Sequence, residues 1–288
     1  MDFGLSEDQV LLKDSIRRWL DAECPTTRVR AVMESDDGHD VALWKGLAEL
    51  GVTALGVPQQ HGGAGLDLLE VALAAEELGW NCTPGPFLGT QMAVTAIVES
   101  GDEAQAKRWL PAVAAGDAVL SFAMGEGLGE YDVAKLATRA DGGKLTGEKP
   151  LVPYAQVADA IVVVAHDADG PGLWIVERGA PGTTFTALSG MDMTRRLAMA
   201  RFDGTPATKL CAGTKAIERA RAAGLILLAF DCYGGAHRCL DMTVEYAKTR
   251  EQFGHRIGEF QGVKHQLADL ATDLAPSESL CWYTAHAF

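Results

Sequence analysis

The spacing of apolar residues changes twice along this chain of 288 residues, and no single repeating architecture accommodates both changes. Up to about residue 116 apolar side chains recur every three to four positions, as on the buried face of a helix. From about 117 to 209 they gather in short runs broken by Gly, Asp and Pro, the pattern of strands and turns. From about 210 the helical period returns over two long segments. Helices, then strands, then helices predict an α+β protein. We expect an N-terminal α-helical domain over 1–116 and a small antiparallel β-barrel or sandwich over 117–209. A C-terminal long-helix bundle, incomplete in this chain, is expected over 210–288.

Local signals sharpen the elements. Ser6 and Gln9 are spaced as a capping box, with Leu5 placed to staple onto Val10. The helix they open runs through Leu11, Leu12, Ile16, Trp19 and Leu20 until Pro25. Further helices are expected over 42–50, ending at Gly51, and over 68–78, ending at Gly79. Another follows Pro86, and a fifth starts at the cap Asp102 and is cut short by Pro111. Residues 51–65 are too rich in Gly and Pro to be regular. In the middle segment 118–124 reads as a strand, and 136–140 and 144–149 as a hairpin about Asp141, Gly142 and Gly143. A buried strand over 160–165 turns at Asp169, Gly170 and Pro171 into 173–177. Residues 183–188 and 197–202 complete six or seven strands. Two long helices, over 216–247 and from about 260 to 288, join through Phe253 and Gly254 as half of an antiparallel bundle. Pro276 would kink or restart the second.

Charge and cysteine usage narrow the function classes. Lys and Arg number 25 against 39 Asp and Glu, a net charge of −14. Such a surface argues against nucleic acid and anionic membranes, whose phosphates need clustered cations. No uncharged apolar run reaches the roughly 18 residues that span a bilayer. The first eight residues carry neither the basic nor the apolar part of a signal peptide, so a cytoplasmic location is expected. Six cysteines, at 24, 82, 211, 232, 239 and 281, form no Cys-x-x-Cys, and no histidine pair stands at metal spacing. The thiols read as reduced small hydrophobes, and no metal site is expected. His61 reads as a loop polar group, His237 and His265 as satisfied helix residues, and Glu34 to Asp40 as a solvated acidic loop. Thr194, Arg195 and Arg196 make either a local basic spot for a phosphate or a solvated strand edge.

The order of segments, together with several motifs, resembles the acyl-CoA dehydrogenase family over the whole chain. The N-terminal markers are Leu50-Gly51, Pro58, Gly62-Gly63-Ala64-Gly65 and Glu76-Glu77-Leu78-Gly79. The most specific lies in residues 246–261, where Tyr246, Arg250, Phe253, Gly254, Ile257, Gly258 and Gln261 match the family's helix–turn–helix signature. The resemblance implies FAD as cofactor, an acyl-CoA as substrate and an electron-transferring flavoprotein as acceptor. FAD would take a hydride from the β-carbon while a carboxylate removes an α-proton made acidic by hydrogen bonds to the thioester carbonyl. It also implies that the Arg-x-x-Phe-Gly turn grips the FAD of a neighbouring subunit. Arg250 would then pair with the pyrophosphate, and Gln252, Phe253 and Gln261 would contact the adenine-side half.

This chain departs from the family where a flavin would lie in its own fold. A Thr-Glu-Pro-x-x-Gly-Ser-Asp segment is replaced by residues 125–132, with Gly125 for Thr and Tyr131 for Ser and the spacing from Glu126 to Asp132 kept. Trp-Ile-Thr becomes Leu151, Val152 and Pro153. The Arg that holds the CoA arm becomes Leu225, and a helical position that carries the catalytic Glu in some members is Gly224. Glu218 is read as a surface charge, so no residue is assigned as base. A branch of the family forms α2β2 heterotetramers in which one chain keeps the flavin, CoA and base residues and its partner keeps the gripping turn. This chain looks like the partner, and that branch acts on bulky steroid side-chain or dicarboxylic acyl-CoAs. Two alternatives stand beside it: a self-sufficient homotetramer with its base beyond residue 288, and a non-catalytic scaffold of the same fold.

Overall fold

The computed structural model describes residues 4–127 and 129–288. Residues 1–3 of the signal-peptide reading and Leu128 of the flavin-loop comparison lie outside the described residues. Six helices open the chain: α1 Glu7–Glu23, α2 Thr26–Met33, α3 Val41–Glu49, α4 Leu68–Trp80, α5 Phe87–Ser100 and α6 Glu103–Ala114. The capping box is formed. Ser6 Oγ accepts from the Gln9 amide at 3.2 Å, and the Gln9 side chain accepts from the Ser6 amide at 2.9 Å. Helix α2 was not anticipated. Pro25, which stops α1, also caps α2 with extended backbone, so one proline ends one helix and starts the next.

Two expected helix stops are corrected. Helix α4 runs through Gly79 to Trp80, because this glycine is a contact and not a terminator: a Cβ there would run into the carbonyl oxygen of Asp231. Helix α6 continues through Pro111 to Ala114, since a proline in the last turn removes a single amide bond.

Among the described residues eight strands share one sheet: β1 Leu120–Ala123, β2 Arg139–Asp141, β3 Lys144–Pro153, β4 Ala160–Asp167, β5 Gly170–Glu177, β6 Thr183–Ala187, β7 Leu197–Pro206 and β8 Thr208–Ala212. Their order is β6-β7-β3-β2-β4-β5-β8, with β1 on β4, an open sheet and not a closed barrel. It is mixed where an antiparallel unit was expected: β1 and β2 both pair parallel with β4. Strand β2 starts three residues later than expected because residues 133–135 form a 3-10 turn capped by Asp132. Gly142 and Gly143, at φ 52° and 76°, give the two left-handed positions of the tight turn between Asp141 and Lys144. Strand β8 escaped notice because it follows β7 after Ala207 alone, with no turn signal between them.

Residues 160–165 of β4 are buried without a break, as in a strand covered on both faces. Ile161, Val163 and Ala165 join the core made with α1, α3 and α4, while Ala160, Val162 and Val164 join the core under α5 and α6. The chain then forms α7 Lys215–Thr249 and α8 Gln261–Ala287. Between them lie a two-stranded ribbon, β9 Glu251–Gln252 with β10 His255–Arg256, and a 3-10 turn, Ile257–Glu259. Helix α8 passes Pro276 without interruption, so the expected restart does not occur. Leu225, Leu228, Met242, Tyr246, Leu270, Leu280 and Tyr283 leave apolar surface exposed along α7 and α8. Among the described residues no helix is long and apolar enough to cross a membrane.

Candidate functional site

Of the four residues assigned to cofactor contact, Arg250, Gln252 and Phe253 lie on the short connection from α7 to α8, and Gln261 opens α8. Arg250 caps α7, its amide bonded to Tyr246 O at 2.9 Å. Phe253 and Gly254 form the tip of the ribbon with φ of 55° and 78°. A left-handed phenylalanine is strained, and such strain concentrates at ligand-binding positions. Its ring is 91% exposed and meets Phe260 edge-on, centroids 6.4 Å apart. Phe260 in turn contacts His255 at 6.2 Å, and His255 Nδ1 lies 3.1 Å from a Glu259 carboxylate oxygen. Ile257 N donates to Arg250 O at 2.8 Å and closes the loop. Gly258 lets the loop lie against α7, since a Cβ there would sit 2.8 Å from Ala247 O. Gln252 and Gln261 are exposed beside this tip. The Arg250 guanidinium has no ion-pair partner among the described residues. A planar cation, two carboxamides and an outward aromatic face suit a pyrophosphate and a stacked ring. The whole group is exposed, so a ligand held here would also be held by another surface.

The chain's own cleft, about 310 Å³, lies between the end of the sheet and helices α5 and α7. The Tyr131 ring covers Gly125, where an added Cβ would meet it at 2.7 Å. Met92 covers Gly224 in the same way, its sulfur 2.6 Å from an added Cβ, so no larger side chain fits that helix position unless Met92 moves. Leu151 projects from β3 at φ 59° and is 45% exposed. Among the described residues that line it only Tyr131 and Arg221 carry a polar side-chain group, too few for the hydrogen-bonding edge of a flavin. The cleft lining does not suit FAD, whereas the exposed groups of the turn do.

What survives of the flavin segment is scaffolding. Lys149, fully buried, donates to Glu126 at 2.8 Å and to Met124 O at 2.9 Å. Glu126 also accepts from the Thr138 amide at 2.9 Å and its hydroxyl at 2.6 Å. Burial alone would raise the Glu126 carboxyl, but Lys149, Thr138 and the Ala137 amide outweigh it and hold it at about 2. Burial pushes Lys149 down to about 8, with Glu126 opposing, so the pair is ionic at neutral pH.

The remaining sequence readings divide. Arg195 bonds Asp231 of α7 and Thr83 O, and Arg196 bonds Met33 O at 2.6 Å and Ser35 O at 3.0 Å. Both arginines tie the sheet to the helices, so neither a phosphate spot nor a solvated edge is present. His61 is buried beside Gln60, His237 packs edge-on against Trp80 at 5.2 Å, and His265 and Glu218 are exposed. Asp40, placed in a solvated loop, instead caps α3 and pairs with Arg28 at 2.7 Å. The six cysteines are free, and of these Cys82, Cys232 and Cys239 are exposed and not buried hydrophobes. Arg221 was missed. Its signal is helical spacing: 221, 224, 225 and 228 lie on one face of α7, the face that lines the cleft.

Family models fit the chain at both ends: the acyl-CoA dehydrogenase N-terminal domain over residues 6–117 and the C-terminal domain over 211–288. With the fold and turn above, they define the class: the chain belongs to the acyl-CoA dehydrogenase family of oxidoreductases, whose cofactor is FAD. Among particular relatives, acyl-CoA dehydrogenase IpdE2 of Mycobacterium tuberculosis is 33% identical over 98% of this chain and 76% of its own length. A variant of the Tcur3481–Tcur3483 steroid acyl-CoA dehydrogenase superposes with a TM-score of 0.90 at 32% identity, over 98% of this chain and 78% of that one. The ChsE4–ChsE5 complex of Mycobacterium tuberculosis gives 0.88 at 28% identity, over 100% and 78%.

Proposed function

We propose that this chain is one subunit of a heteromeric acyl-CoA dehydrogenase that desaturates an acyl-CoA thioester between its α and β carbons. Its turn grips FAD seated in a homologous partner chain, and the partner supplies the carboxylate base. One contrast carries the reading: Phe253 and Arg250 stand intact and exposed, while Tyr131 over Gly125 and Met92 over Gly224 close the chain's own cleft to a flavin. Bound FAD supplies hydride acceptance from the β-carbon. The chain's own residues bind and orient. The Arg250 fork takes two pyrophosphate oxygens, Phe253 offers a ring face, and Gln252 and Gln261 offer amide bonds to the adenine-side half.

Both solved relatives named above are described as pairs of chains, and one as a steroid acyl-CoA dehydrogenase, which supports an α2β2 assembly and a bulky acyl-CoA such as a steroid side-chain thioester. An electron-transferring flavoprotein is the acceptor in this reading, and the assembly is cytoplasmic. The test is co-expression with a homologous dehydrogenase chain, followed by Arg250→Ala. Flavin content should fall at least tenfold with the melting temperature of this chain unchanged. Stoichiometric flavin and full turnover from this chain alone would contradict the proposal.

A further inference from the structure

We infer that the chain's own cleft, closed to flavin, binds an amphipathic free carboxylate, with an apolar acyl or ring body against the cleft walls and its head group on Arg221. The inference rests on the reading that no flavin sits in this cleft. Three features support it.

The first is the wall of α7. Arg221, Gly224, Leu225 and Leu228 follow the i, i+3, i+4, i+7 spacing of one helix face, so a guanidinium stands one turn from an apolar pair that is exposed for contact. The second is that Arg221 is unspent. Among the described residues it has no ion-pair or hydrogen-bond partner, whereas Arg219, two residues earlier on another face, is held by Glu99 at 3.2 Å and the Phe288 carbonyl at 2.6 Å. The third is the lining itself. Phe122, Met124, Leu225 and Leu228 give an apolar trough, Met92 closes it over Gly224, and among the described residues no carboxylate lines it to repel an anion.

Those features select among ligands. A neutral lipid would leave the guanidinium unmatched. A CoA ester brings several phosphate charges to a single cation on a chain of net charge −14. A monoanionic carboxylate matches the one fork, and its body removes the exposed leucines from water.

The experiment uses the flavin-loaded complex of this chain with its homologous partner. Decanoate and cholate are titrated by calorimetry, with decanol and decanoyl-CoA as controls. At least one acid should saturate one site per copy of this chain. Arg221→Ala should weaken that acid about tenfold, to the level of decanol where the acid is decanoate. Leu225→Asp, a change at an exposed position, should abolish binding with the melting temperature retained. Flavin content should be the same in all three proteins. Failure of both acids to saturate, unchanged binding in Arg221→Ala, or tighter binding of decanoyl-CoA than of decanoate would overturn the inference. Counting flavin in the same samples separates the two proposals. One flavin per pair of chains with no acid binding sinks only this one, while two flavins per pair sink the partner reading as well.

Discussion

Lys149 and Glu126 show what a single buried contact does for this site. With Lys149 wholly out of water, removing its partner leaves an uncompensated buried charge on β3. Glu126→Gln should therefore cost about 3–5 kcal/mol in denaturant melts, and adding Lys149→Met should recover much of the loss. The pair also sets an acid limb. The Glu126 carboxyl sits at about 2 in the folded chain, below its ordinary 4.5, so the folded state binds its proton less tightly than the unfolded one. Its contribution is complete above about pH 4.5 and is lost as pH falls towards 2. Glu126→Gln should flatten that part of the stability profile relative to the unaltered chain. Phe253 is the opposite case. With 91% of its surface exposed, Phe253→Ala should leave stability within about 0.5 kcal/mol, yet reduce flavin retention by the complex.

At the scale of elements, the crossing of α4 and α7 depends on two glycines that face each other's backbone. A Cβ on Gly79 would strike Asp231 O, and one on Gly234 would strike the carbonyl oxygen of Glu76. Gly234→Ala should force the helices apart and cost about 3 kcal/mol or more. Gly235→Ala, where the nearest atom outside the helix is Gly79 O at 3.5 Å, should be neutral or gain up to about 1 kcal/mol of helix propensity. Comparing the two melting temperatures checks the geometry directly. The same crossing shows why helix limits were only partly legible. Apolar period placed α1, α3 and α7 closely, because each buries a face; Pro86 marked the start of α5 without its end, and α8 matched its expected range although only Ala285 of it is buried. Gly79 reads as a stop because its partner, Asp231, is far along the chain and local sequence cannot reveal it. Pro111 reads as a break because the cost of one lost amide bond is visible locally, and the burial of Leu110 and Val113 that offsets it is not; Pro276 is carried within α8 although the residues around it are largely exposed.

For the whole molecule, the candidate site was legible in one half only. The turn is local, so residues 246–261 carry its pattern whole, and the structure leaves Arg250, Gln252 and Phe253 exposed on the connection and Gln261 exposed at the start of α8. The state of the cleft is not local. Gly125 and Gly224 show as missing groups in the sequence, but that Tyr131 and Met92 fill their places appears only once sheet, α5 and α7 are assembled. In the proposed reading an exposed turn and a cleft unfit for flavin make this chain half of a redox site, and Met242, Tyr246, Leu270, Leu280 and Tyr283, exposed along α7 and α8 away from the cleft lining, leave an apolar surface for a second chain. The most direct measurement is flavin per polypeptide in the complex co-purified with a homologous dehydrogenase chain. The expected result is one FAD for each pair of unlike chains, lost on Arg250→Ala of this chain. One FAD for every polypeptide, or flavin content indifferent to Arg250, would contradict it.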